Sequence, residues 1–238
     1  MLLQAAIFKG GSLEMSTEPL SGWVEAPVWR DLFSTRILAV AAIFLLLVNL
    51  PDLFRLLPHL FYSYNRPRGA ADLEHSLGLA RMRNHTALCY ALPFCLIADR
   101  YALMQPRWLS ALPAEWHAPA TLGLFVAFLL LRALAYVLWQ PHRLRGEPYA
   151  TLKHIPYNVF ILLVSVMLVT VGLLLVFRAP DTTARTVLLW EITVFYLFSQ
   201  IRASQFLAAS GMGFTTFLYL CALELLPAAS LVAVIELF

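Results

Sequence analysis

Charged residues are scarce in this sequence. Asp, Glu, Lys and Arg make up 13% of the 238 residues, whereas roughly a quarter is usual in soluble domains. Hydrophobic residues make up 61%, and the mean hydropathy is +0.74. The net charge is only +3, and no basic stripe with interleaved aromatic residues is present, so we expect no nucleic acid partner. The composition predicts an integral membrane protein whose main surroundings are the lipid bilayer.

Cysteine is rare, and the motifs of common enzymes are absent. Cys89, Cys95 and Cys221 lie in apolar stretches, form no CxxC pair, and are predicted to be buried thiols. The sequence contains no HExxH, GxSxG, P-loop or GxGxxG motif, and the histidines lack the spacing of metal ligands. We therefore predict neither a metal site nor a cofactor, and we expect no catalytic residue of a known type.

Six apolar segments are long enough to cross a bilayer, because roughly 20 helical residues span about 30 Å of hydrocarbon. They are residues 36–54, 85–103, 119–140, 155–177, 186–205 and 214–237. Asn49, Pro51 and Asp52 are predicted to mark the exit from the first span, and Pro93 lies inside the second. The predicted fold is an all-α integral membrane helical bundle of about six spans. Residues 33–238 form its one polytopic domain, and residues 1–32 form a polar tail without a cleaved signal peptide.

A short amphipathic helix is predicted at the membrane interface between the first two spans. Leu73, Leu77 and Ala80 recur at helical spacing beside Arg81 and Arg83. Such a helix would lie along the membrane surface with its apolar side toward the lipid.

Basic residues are distributed unevenly among the loops. Nine Lys and Arg residues follow the odd-numbered spans and four follow the second and fourth, so the positive-inside rule places the former loops in the cytoplasm. The count of basic residues on the outer side rises from four to seven, against nine in the cytoplasmic loops, when the residues at the start of the chain are included: Lys9, Arg30 and Arg36. Six arginines form the predicted basic cytoplasmic rim: Arg66, Arg68, Arg81, Arg83, Arg143 and Arg145.

Charged residues inside the spans are the main candidate site, since each costs at least roughly 2.5 to 3.5 kcal/mol to insert. Arg132 in the third span and Glu224 in the sixth lie at about the same depth, roughly 12 and 15 Å from the same membrane face. Pro227 cannot donate to the carbonyl of Leu223, so it predicts a kink one turn from the acid. The pair is predicted either to fix the docking of the two spans or to exchange a proton or coordinate a substrate.

Two polar residues in other spans are secondary candidates. Glu191 lies about five residues inside the fifth span, and its side chain is expected to extend toward the headgroups. Asn158 lies near the start of the fourth span.

Two stretches resemble a known family: NRPRG at residues 65–69 and, above all, FTTFLYLCALELLP at residues 214–227. The family comprises multi-pass membrane proteins of Gram-negative bacteria, catalogued as a domain of unknown function, number forty-two seventy-one. Its last span carries four residues that this sequence supplies as Tyr219, Cys221, Glu224 and Pro227. The resemblance implies a polytopic protein of the bacterial inner (plasma) membrane and brings no activity, ligand or cofactor.

Three functions are compatible with these patterns. The leading hypothesis is a non-enzymatic subunit, or an assembly or scaffold factor, of a cell-envelope complex that binds other membrane proteins. The alternative is a small proton-coupled transporter that uses Arg132 and Glu224. The third is a membrane enzyme that holds the phosphate of a lipid-linked substrate with the arginines of the basic rim.

Paired replacement of the two charges tests whether they form a structural pair. We expect Arg132→Leu or Glu224→Leu alone to destabilise the protein by about 3 to 5 kcal/mol, because each leaves one buried charge uncompensated. The double variant should regain most of that loss, which is measured as the amount of folded protein in the membrane and its thermal midpoint in detergent. A double variant less stable than both single variants would rule out the pair.

Overall fold

The structure is a computed structural model that describes residues 32–65, 76–104, 106, 109, 112–138 and 147–209. All regular elements in these ranges are helical, which confirms the predicted all-α class for this part of the chain. The five α-helices are α1 (Phe33–Asn65), α2 (Leu77–Arg100), α3 (His117–Leu138), α4 (Glu147–Val176) and α5 (Asp181–Ala209). A short 3-10 helix, Ala114–Trp116, leads into α3.

Three of these segments are long and apolar enough to cross a membrane: Phe33–Tyr62, Ala114–Leu134 and His154–Val176. They agree with the first, third and fourth predicted spans and identify the chain as a membrane protein. The second predicted span lies in α2 up to Arg100, and the fifth lies within α5; these helices are 24 and 29 residues long but less apolar. The sixth predicted span and the polar tail lie outside the described residues, so a count of six remains a prediction.

Helix α1 does not end at the predicted exit of the first span. It continues through Pro51 and Pro58 to Asn65. Asn49 is buried, and its Nδ2 donates to the carbonyl of Leu45 at 2.9 Å. Both prolines lie on the exposed side of the helix, whereas the side chains of Leu56 and Leu60 are fully buried on the other side. Packing of that inner side therefore stabilises the helix beyond the point at which the local sequence predicts a stop.

The predicted interfacial helix is not confirmed. Leu77, Ala80, Arg81 and Arg83 form the first two turns of α2, which continues without interruption into the second predicted span. Leu73 lies outside the described residues. From Leu77 onward, the residues whose apolar spacing predicted a separate helix therefore belong to one longer helix.

Helix α2 lies at the centre of the bundle and packs against α1, α3 and α4, whereas α5 packs mainly against α4. Three phenyl rings, Phe94 of α2, Phe125 of α3 and Phe160 of α4, meet pairwise at centroid distances of 5.3 to 5.8 Å. Cys89 and Cys95 of α2 are free thiols buried in this region, as predicted. The aromatic cluster joins three helices at one point of the core.

Several contacts bring helix ends together. Helices α1 and α2 are antiparallel, because Ala42 clusters with Leu96, whereas Asn49, farther along α1, is hydrogen-bonded to His85, which comes earlier along α2. At the Leu96 end, the Ser34 hydroxyl donates to the carbonyl of Glu115 at 2.7 Å. Arg100 and Asp181 form an exposed ion pair of 3.2 Å at the same end of α2. The starts of α1, α3 and α5 therefore lie beside the end of α2.

Helices α2 and α4 end in the same way, with a non-glycine residue in the left-handed region. Ala102 and Arg178 have φ values of 53° and 51°. In each case the next residue donates to the carbonyl five positions back, from Leu103 to Ala98 and from Ala179 to Leu174. This Schellman geometry satisfies terminal carbonyls and, after α4, turns the chain directly into α5.

Labelling of single cysteines tests this arrangement of helix ends. In a background with Cys89, Cys95 and Cys221 changed to alanine, we expect Glu115→Cys and Asp181→Cys to react with a membrane-impermeant maleimide from one side. Arg81→Cys should react only from the other, because Arg81 lies roughly 28 Å along α2 from Arg100. Loss of the exposed Arg100–Asp181 pair costs at most about 1 kcal/mol, so the fold should survive. Labelling of all three from the same side would contradict this arrangement.

Candidate functional site

Arg132, the basic member of the predicted charge pair, lies on α3 and is half-buried. Its guanidinium carbon lies 5.3 Å from the ring centroid of Tyr136, one turn later on the same helix. It also lies 5.9 Å from the ring centroid of Tyr157 on α4. An arginine above an aromatic face gains electrostatic attraction from the negative face of the ring, and more so away from water. The side chain therefore helps to join α3 to α4.

The α4 side of this contact carries further polar groups. The rings of His154 and Tyr157 lie 5.5 Å apart, one turn from each other. Asn158, a secondary candidate from the sequence, follows Tyr157 and is 7% exposed. Its Oδ1 is buried and accepts no hydrogen bond from any residue that the structure describes. The stretch from His154 to Asn158 therefore places one aromatic contact for Arg132 next to an unsatisfied polar atom.

The acidic partner predicted for Arg132 lies outside the described residues. Glu224 and the kink at Pro227 belong to the sixth predicted span, so their pairing with Arg132 remains a prediction. Of the basic rim, Arg66, Arg68, Arg143 and Arg145 also lie outside.

The two described arginines of the predicted rim differ sharply in the exposure of their side chains. Arg81 is exposed, whereas Arg83 is only 1% exposed. Arg83 lies one and two turns ahead of Ala87 and Tyr90, which belong to the buried core, and thus shares their face of α2. Its Nε and Nη2 both donate to Oδ1 of Asn84, at 3.1 and 3.0 Å. The rotation of α2 therefore directs Arg83 toward the core, and its place in the basic cytoplasmic rim remains a prediction.

Glu191 lies between α4 and α5. Its Oε1 accepts a hydrogen bond from the hydroxyl of Thr170 on α4, and its Oε2 is buried without a hydrogen-bond partner in the described part of the chain. Leu188, one turn earlier on α5, is fully buried. The sequence predicted a side chain extended toward the headgroups, whereas the structure shows an acid bound to the neighbouring helix.

Two further polar contacts between helices were missed in the sequence. On α1, Nδ2 of Asn49 donates to the carbonyl of Leu45, and Oδ1 of Asn49 faces His85 on α2. Because an amide oxygen can only accept, Nδ1 of His85 carries the hydrogen and donates it across the 2.9 Å contact. Asp99, near the end of α2, is 5% exposed and lies 3.5 Å from the hydroxyl of Thr121 on α3. Asp99 lies inside the second predicted span. That position could have identified it from the sequence as an intramembrane charge besides Arg132, Glu191 and Glu224.

An open apolar groove of about 610 Å³ lies between the starts of α1 and α3. It is lined by Phe33, Ser34, Ile37, Leu38, Pro119, Leu122, Gly123 and Val126. Ser34 contributes its only hydroxyl, and that hydroxyl donates to Glu115. The groove can hold an acyl chain or an apolar side chain, but its lining supplies no group for acid or base chemistry.

Metal chemistry has no support in the described part of the chain. No three His, Cys, Asp or Glu side chains in that part lie close enough together to hold a metal ion. What the described polar residues do is connect neighbouring helices: α1 to α2, α2 to α3, α3 to α4 and α4 to α5.

Comparisons with known proteins assign no family. No protein-family model, curated protein or solved structure matches the chain. The resemblance of residues 214–227 to the family of unknown function therefore remains a prediction.

Two substitutions at Tyr157 test its contact with Arg132. Tyr157→Leu should lower stability by about 1 to 2 kcal/mol, because it removes the aromatic face, whereas Tyr157→Phe retains the ring and should cost less. In an Arg132→Met background the difference between the two substitutions should largely disappear, as measured by thermal unfolding in detergent. An undiminished difference in that background would show that Tyr157 acts through other contacts.

Proposed function

We propose that this protein is a non-enzymatic subunit or assembly factor of a bacterial cell-envelope complex, which works by binding another membrane protein. The observation that supports this proposal is the exposed aromatic side of the second half of α1, residues 51–61. We call this segment the α1 extension. The six-span topology in the inner membrane, with α2 and α5 as spans, is part of the same proposal and is supported by the lengths of these helices and by the family resemblance.

With the α1 extension, helix α1 is longer than is needed to cross a bilayer. Helix α1 has 33 residues and is therefore roughly 50 Å long, whereas the hydrocarbon core is about 30 Å thick. Residues 33–50 alone cover roughly 27 Å and contain one charged residue, Arg36, near their start. If the helix is not steeply tilted, residues 51–61 extend into the headgroup region and beyond.

At that depth the extension exposes large apolar side chains at or beyond the edge of the hydrocarbon core. Phe54 is 65% exposed and Phe61 is 53% exposed, two turns apart on one side of the helix. Arg55 and His59 are exposed beside them. Aromatic residues and arginine are enriched at the centres of protein interfaces, where they contribute much of the binding energy.

The inner side of the extension holds it in place. Leu56 and Leu60 are fully buried and belong to the same hydrophobic core as Phe94 of α2. The outer phenyl rings are therefore presented on a fixed helix, which reduces the entropy lost on binding. We infer a partner with an apolar cleft for Phe54 and Phe61 and acidic groups opposite Arg55.

Co-purification with matched variants tests this function. Tagged protein is isolated from its native membrane in mild detergent, and near-stoichiometric partners are identified by mass spectrometry. We expect one reproducible membrane protein that is lost when Phe54 and Phe61 are both changed to serine. It should remain with Phe177→Ser, which alters an even more exposed phenylalanine, 77% exposed, at the turn between α4 and α5.

Two results would contradict the proposal. One is wild-type protein that purifies only as a monomer or homo-oligomer. The other is a partner that remains bound to the Phe54→Ser/Phe61→Ser variant, provided that this variant is as abundant and as thermally stable as the wild type.

A further inference from the structure

The two oxygens of the Glu191 carboxyl group differ in their hydrogen bonding. Oε1 accepts the hydrogen bond from Thr170, whereas Oε2 is buried and has no hydrogen-bond partner among the residues that the structure describes. Ala184 and Leu188, on the same side of α5, are buried in the hydrophobic core, and Phe195 packs against that core. The carboxyl group is therefore held against α4 by one polar contact in apolar surroundings.

Among the residues that the structure describes, no positive charge lies near this carboxyl group to balance it. Residues 159–177 of the α4 region contain no ionisable side chain, and Arg178 follows eight positions after Thr170. On α5, Arg185 lies six positions before Glu191 on a different side of the helix, and Tyr196 lies five positions after it. Arg100 of α2 is paired with Asp181, roughly 15 Å along α5 from Glu191. Glu191 forms no ion pair with any residue that the structure describes.

These surroundings favour the neutral acid over the carboxylate. A buried carboxylate without a cationic partner is strongly disfavoured, and the group avoids this cost by binding a proton. A bound Ca²⁺ ion would need roughly six to eight oxygen ligands. The carboxyl group and the Thr170 hydroxyl supply three oxygens among the described residues, so a proton fits the site better than a metal ion.

We propose that Glu191 and Thr170 form a proton-binding site between α4 and α5. The proton is held on Oε2, while Oε1 accepts the hydrogen bond of Thr170. Loss of the proton places an unpaired charge between the two helices and weakens their packing. This site is independent of the α1 extension, and neither proposal requires the other.

Labelling with dicyclohexylcarbodiimide, an apolar reagent that modifies protonated carboxyl groups in lipid, tests the site. We expect the α5 peptide of the wild type to be modified at Glu191 near pH 7, with labelling that decreases as the pH rises. Glu191→Gln should abolish this modification, and the exposed acids Glu115 and Asp181 should remain unmodified.

Substitutions of Thr170 provide the matched comparison. Thr170→Val removes the donor that stabilises the carboxylate, so the pH of half-maximal labelling should rise by about one unit or more. Thr170→Ser retains the hydroxyl and should leave that pH unchanged. A merely structural role for the contact would not shift the labelling profile in this way.

Infrared spectroscopy covers the case in which packing keeps the reagent away from the site. The carbonyl band of a protonated carboxylic acid should be present in the wild type near pH 7 and absent from Glu191→Gln. Absence of both the labelling and this band would overturn the proposal, as would labelling of Glu191 that does not change between pH 5 and pH 9.

Discussion

Burial of α2 is the constraint on which the rest of the described bundle depends. This helix carries Arg83, Thr86 and Asp99 on buried positions, and as an isolated helix in lipid it would place all three polar side chains against hydrocarbon. Helices α1, α3 and α4 surround it, and the rings of Phe94, Phe125 and Phe160 hold three of the four together. The more apolar helices thus provide the surroundings in which the less apolar one is stable.

Polar contacts between successive helices follow from the same constraint. Lipid is as apolar as a leucine side chain, so burial of apolar area alone does not draw helices together in a membrane. Packing and a small number of polar pairs must supply the specificity, here His85 with Asn49, Arg132 with Tyr157, and Thr170 with Glu191. The first contact joins two neutral groups, and the second places a delocalised cation against an aromatic ring. Glu191, in contrast, retains one buried oxygen that has no hydrogen-bond partner among the described residues. This difference separates a site that only joins helices from one that can also bind a proton.

Local sequence signals predicted the helices well and their ends and faces less well. The long apolar runs identified α1, α3 and α4, because a helix that faces lipid needs apolar residues on most of its surface. Asn49 and Pro51 predicted an end that α1 does not have, since Leu56 and Leu60 are held by the core beyond it. Arg83 was predicted to belong to the basic cytoplasmic rim, and the sequence did not indicate that the rotation of α2 turns its side chain toward the core. For Glu191, the acid was found and its partner Thr170 was not, because the two meet only when α4 and α5 fold back on each other.

The sequence by itself determined that this is a helical membrane protein, because hydropathy summed along the chain depends only on which residues are present and in what order. It also determined that few ionisable groups would lie within the apolar segments. Only the tertiary structure decided which of those groups are paired, which are buried without a partner, and which phenylalanines of α1 remain exposed. The physical reason is that these properties depend on the rotation of each helix about its axis and on the choice of neighbours. Both are set by packing between segments that lie far apart in the sequence.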